Sequence, residues 1–253
     1  MSRSAAPSAK APSPARSADS YLKLSESPLS SLLFVLPMAA FYELGTRTFV
    51  RDRIVAFTMM QQFFEMCGAT ARLLPPLALV GMLLGGHIAR RDPWRWRPMV
   101  LGAMAAESFF WGIPLIVIGL AVRRYLPLQT ADPSLPGWVA LSFGAGVYEE
   151  LVFRLIPFAL LGLLLSDVMK LRKGTAGVIT VISCAVVFSL YHYWDPTNLS
   201  WEVFRARFAW DTFLFRTIAG VYFGSLMLLR GFGITVGAHA IYDILILVPV
   251  RFL

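Results

Sequence analysis

The sequence predicts an all-α fold, a polytopic transmembrane helix bundle of about seven spans with a polar cavity inside the bundle. Three observations carry that expectation. Of 253 residues 57% are hydrophobic and only 15% charged, with a mean hydropathy of +0.64, too little charge to cover a water-facing surface. The apolar residues gather into stretches of about 20, enough to cross a hydrocarbon core roughly 30 Å thick at about 1.5 Å per residue. Several stretches also hold Glu, Asp, Arg or His, which inside a membrane must face one another or a cavity.

Taken in order, residues 1–27 are rich in Ala, Ser and Pro, with no aromatic residue before Tyr21. Such a segment buries too little apolar area to offset the entropy of ordering, and reads as a disordered basic tail. The apolar run 29–44 starts too late for a cleavable signal and has no small-residue cleavage site behind it, so it reads as a retained first span. Gln61, Gln62 and Glu65 among Met and Phe make 51–66 an interfacial or partly buried helix. A span over 73–88 follows, with Gly81 and Gly85 at the spacing that lets helix backbones approach. Segments 99–122, 137–165, 174–192, 209–229 and 232–251 complete seven spans. The chain therefore divides into the tail at 1–27, amino-terminal membrane helices at 28–136 and a helical core at 137–253.

A net charge of +8 would suggest nucleic acid in a soluble protein, but no basic and aromatic residues interleave on a polar face, and nucleic acid is excluded as a partner. The basic residues sit between spans instead, at Arg90, Arg91, Arg95 and Arg97 and at Lys170, Arg172 and Lys173. Together with Arg3, Lys10, Arg16, Lys23 and Arg230 they fall on one side if the amino terminus is cytoplasmic, a modest bias because Arg47, Arg51, Arg53, Arg72, Arg123, Arg124, Arg205, Arg207 and Arg251 fall outside or at that edge. This is the expectation for a multi-pass cell-membrane protein in contact with anionic lipid head groups. Cys67 and Cys184 lie in apolar surroundings and imply neither a disulfide framework nor a thiolate metal site. Trp94, Trp96, Trp194 and Trp201 read as interfacial anchors, and Trp201, Phe204 and Phe208 have the alternative reading of a substrate entrance. No internal repeat stands out, which argues against the paired halves of many transporters.

The chemistry concentrates in three places. Glu149 and Glu150 sit side by side about 18 Å along the helix from Gly137. Glu150 and Arg154 are one helical turn apart and share a face, whereas Glu149 lies about 140° round from Arg154 and is free for acid or base work. A purely structural ionic cluster is the competing reading. Phe188 precedes His192 by one turn at a helix end, where a lone histidine is more often an interfacial residue than a catalyst. His239 and Asp243 are again one turn apart on the last span. Three spans thus offer Glu149, His192, His239 and Asp243 to one cavity.

Glu149-Glu150-x-x-x-Arg154, Phe188-x-x-x-His192 and His239-x-x-x-Asp243, in this order over about residues 137–251, resemble the three-motif signature of the CAAX protease and bacteriocin-processing family, also called the Abi family. The resemblance implies an intramembrane endopeptidase of the CAAX prenyl endopeptidase type, working on a protein or peptide substrate near the bilayer. In it, Glu149 and His192 activate a water, His239 and Asp243 stabilise the oxyanion, and Glu150, Arg154 and Phe188 support the site. A carboxylate in a low-dielectric cavity is a better base, which agrees with that role. One position departs from the family, which often has Asn where this chain has Asp243. An ionised Asp repels an oxyanion, so either Asp243 is protonated, or it pairs with His239 or Arg216 and leaves donation to His239.

No cofactor is expected. Zinc is the alternative, since two His and a carboxylate are a common catalytic set, but the His-Glu-x-x-His spacing is absent and the family is read as metal-independent. Serine catalysis lacks a nucleophile elbow around Ser189. Glu107 and Arg216 read as structural polar partners, and Gly220 and Gly224 as a packing pair. The rival from another class is a non-catalytic scaffold or transporter that uses the polar cluster for binding.

Overall fold

A computed structural model describes residues 21–50, 53–122, 134–193 and 200–252, all helical or in short links. The helices are α1 (Pro28–Thr48), α2 (Val55–Met66), α3 (Leu74–Arg90), α4 (Pro98–Val122), α5 (Leu135–Val168), α6 (Lys173–Tyr191), α7 (Trp201–Arg207), α8 (Trp210–Arg230) and α9 (Phe232–Phe252). Among the described residues five helices, α1, α4, α5, α6 and α8, are long and apolar enough to cross a membrane, while α3 and the first part of α9 are apolar but shorter. This is the expected multi-pass all-α bundle. Residues 1–20 of the expected tail and Trp194 lie outside the described residues.

Local chemistry sets the helix ends. Ser27 caps α1 by accepting the Ser30 N–H at 3.2 Å, with Pro28 at the first helical position, where no N–H is needed. Helix α8 stops where Gly231 takes φ +78°, a left-handed turn that lets α9 fold straight back. Helix α2 buries Ala56, Phe57 and Met60 in its first half and leaves Phe63 and Met66 exposed towards its end.

Helix α9 is central. It packs along α4 and also touches α1, α5 and α8, while α8 lies on α6 and α1 on the first turns of α5. Gly146 sets the approach of α5 to α9, since a Cβ there would stand 2.9 Å from the Val236 carbonyl oxygen and 3.0 Å from the Ala240 Cβ. Gly220 does the same for α8 on α6: a Cβ would meet Ala185 Cα at 2.8 Å, so the expected packing role is fulfilled. Gly220→Leu is expected to destabilise the bundle by about 1–3 kcal/mol through overpacking, read as a lowered unfolding temperature in detergent. Gly81 and Gly85 behave otherwise. They meet nothing within 4 Å, because the face of α3 that packs is the one carrying Leu79, Leu83 and His87.

Residues 21–27, which composition assigns to the tail, are a correction. They begin with a helical turn and are tied down by long-range polar contacts. Arg230 donates to Glu107 through Nε and Nη2, to Glu26 at 2.8 Å and to Ser25 at 3.0 Å, and Tyr21 donates to Glu107. Burial and the Glu107 carboxylate push the Tyr21 hydroxyl up to about 12. Glu107 is thus the structural partner the sequence suggests, and its cation is Arg230.

Candidate active site

Helix α5 is not regular where it carries the carboxylates. Its turns widen over Ala145–Glu149 and again over Leu151–Leu155. Pro157 has no N–H to return to the preceding turn, which gives a local cause for the second widening. The wide turns keep Glu150 and Arg154 on one face while aiming Glu149 apart from them.

Glu150 and Arg154 are completely buried and paired, with Arg154 Nη1 donating to Glu150 Oε1 at 2.7 Å. The same carboxylate oxygen receives His239 Nδ1 at 2.6 Å. The Arg154 guanidinium lies 4.2 Å from the centre of the Phe188 ring and 5.6 Å from that of Phe223, so two aromatic faces supply part of the stabilisation that water would give. Phe188 therefore supports the site as a platform for Arg154, and its ring edge also meets His192 at 4.7 Å.

His239 is the hub. Phe223 stacks on its ring at 4.7 Å. With Nδ1 committed to Glu150, the Nε2 edge faces Glu149 Oε2 at 3.8 Å and Asp243 Oδ2 at 3.7 Å. Of the partners that sequence leaves open for Asp243, the structure selects His239. Glu149 is 8% exposed and accepts a hydrogen bond from the Tyr191 hydroxyl at 3.1 Å. A carboxylate with one hydroxyl donor and a distant imidazole keeps lone pairs for a further proton donor such as water.

His192 follows the last residue of α6. Its Nδ1 lies 2.8 Å from the Phe188 carbonyl, which only accepts, so Nδ1 is the donor and Nε2 is left out of that bond. Among the described residues it makes no hydrogen bond to Glu149. Tyr191 joins them, with its hydroxyl on Glu149 and its ring 4.6 Å from that of His192. The structure thus brings Glu149, Glu150, Arg154, Phe188, His239 and Asp243 into direct contact and sets His192 beside them through Tyr191.

Tyr191 and Phe223 complete the cluster without having been picked out by sequence. Tyr191 had a signal, its place next to His192 at a span end; Phe223 had none beyond being apolar on a span. Ser189 donates to the Phe213 carbonyl at 2.7 Å and so serves the α6–α8 contact. Among the described residues no three His, Cys, Asp or Glu side chains are arranged to hold a metal ion.

No curated protein and no solved structure matches the chain. A match to a protein family supports a CAAX-type intramembrane protease in general. Residues 131–245, which carry every side chain of this cluster, match the family of type II CAAX prenyl endopeptidases, Rce1-like, the type that the three motifs resemble.

Proposed function

We propose that the protein is an intramembrane endopeptidase that hydrolyses a peptide bond of a membrane-associated protein or peptide through a water activated by Glu149 and His192. The observation that supports this reading is the arrangement around Glu149: a buried carboxylate held by Tyr191, next to an imidazole whose other nitrogen is fixed by Glu150. Glu149 takes a proton from water, aided by Nε2 of His192, and the water oxygen adds to the carbonyl carbon. His239, orientated by Glu150 and carrying a proton on Nε2 among three carboxylates, donates to the oxyanion. Asp243 balances that charge from the same helix. As the C–N bond breaks, the proton held by Glu149 passes to the departing amine. Arg154 pairs with Glu150 and holds it in place from within the protein.

The reaction so written uses only protein groups and water. Purified protein is expected to keep its activity on an S-farnesylated CAAX peptide after exhaustive dialysis against a chelator. Loss of activity that stoichiometric zinc restores would overturn the metal-independent reading. We place the protein in the cell membrane with its amino-terminal segment on the cytoplasmic side. The contacts of Arg90 and Arg230 with Glu26, and of Gly177 with Leu228, support grouping the basic links on one side.

A further inference from the structure

Arg216 is the cation the mechanism does not use. It stands seven residues before Phe223 on α8, two turns along the face that stacks Phe223 on His239. That face is fixed against α6 by Ser189 to the Phe213 carbonyl and by Tyr193 to Thr212, both at 2.7 Å. The guanidinium carbon lies 5.3 Å from the centre of the Tyr193 ring, two residues beyond Tyr191, whose hydroxyl holds Glu149. Arg53, Arg154 and Arg230 each have a carboxylate, respectively Glu43, Glu150 and Glu107. Arg216 is half-buried, and among the described residues no carboxylate pairs with it. Asp243, the acid nearest to hand on α9, is turned to His239 instead. An arginine left without a counter-ion on a membrane span is costly, and a half-buried one can still receive an anion from outside.

The anion follows from the CAAX-type reading, on which this inference rests. A CAAX box ends in the chain's own carboxylate, a few residues beyond the bond to be cut. In the cluster Arg154 is paired with Glu150, and His239 is shared among Glu150, Glu149 and Asp243, so neither is free to receive a negatively charged chain end and a further cation is needed. A guanidinium matches a carboxylate with two parallel hydrogen bonds. We propose that Arg216 receives the terminal carboxylate of the substrate and so sets the distance from the chain end to the scissile bond. It is a specificity-determining residue and takes no part in activating the water.

The test compares an S-farnesylated CAAX peptide bearing a free terminal carboxylate with the same peptide as its terminal amide, using full-length protein in detergent. Wild type is expected to favour the acid by about 10- to 100-fold in kcat/KM, mainly through KM, as for a charged hydrogen-bonded contact. In Arg216→Gln the ratio falls towards one, and Arg216→Lys, which keeps the charge but not the fork, retains part of it. An unchanged ratio in folded Arg216→Gln, or no preference in wild type, overturns the assignment while leaving proteolysis standing. Failure of wild type to cut either peptide counts against proteolysis itself. Calorimetric titration with the product tripeptide then decides for Arg216 alone: tighter binding of the acid than of the amide, lost in Arg216→Gln, supports the assignment, and equal binding overturns it.

Discussion

Glu149→Gln is expected to lower cleavage by about 10²–10⁴-fold, the range for loss of a general base, while the protein stays folded. The substitution keeps the volume of the side chain and leaves an oxygen to accept from Tyr191, so packing against α6 survives. What it removes is the charge that takes the proton from water. The loss should appear in kcat with little change in KM, because the proton moves only in the transition state. A variant that cleaves at the wild-type rate would leave Glu149 a structural carboxylate.

Arg154→Met should act on stability first. Both Arg154 and Glu150 are fully enclosed, and Glu150 also receives His239. Removing the guanidinium strands a buried carboxylate, which costs about 3–5 kcal/mol, whereas replacing a whole buried pair by apolar residues is often nearly neutral. The double variant Arg154→Met with Glu150→Gln is therefore expected to unfold at a higher temperature than Arg154→Met alone in a detergent thermal scan. Equal unfolding temperatures would mean that the ion pair is not coupled. Activity should not return in the double variant, since an amide in place of the Glu150 carboxylate still accepts from His239 Nδ1 but lacks the negative charge that supports a second proton on the ring.

Features that follow from local spacing were legible in the chain. Glu150 and Arg154 pair as four-residue neighbours on a helix must, Glu149 points away from them, and His239 meets Asp243 one turn on. Gly220 packs on Ala185 as small residues in spans do. What sequence did not disclose depends on partners far along the chain or on departures from the regular helix. The attachment of residues 21–27 needs Glu107 and Arg230, more than 80 residues away at the nearer contact. Gly81 and Gly85 carry the right spacing, but spacing does not say which face of α3 meets a neighbour. The widened turns of α5 change the direction of successive side chains in a stretch that a fixed angle per residue treats as uniform. Tyr191 resembles any aromatic residue at a span end until α5 is laid beside it.

The most direct measurement compares protein termini in membrane and secreted fractions of cells expressing wild type with those of cells expressing Glu149→Gln at matched abundance. The account predicts new termini, cut close to a chain end, that are present with wild type and absent with the variant. The same termini in both would contradict it, because cleavage would then proceed without the carboxylate on which the proposed chemistry depends.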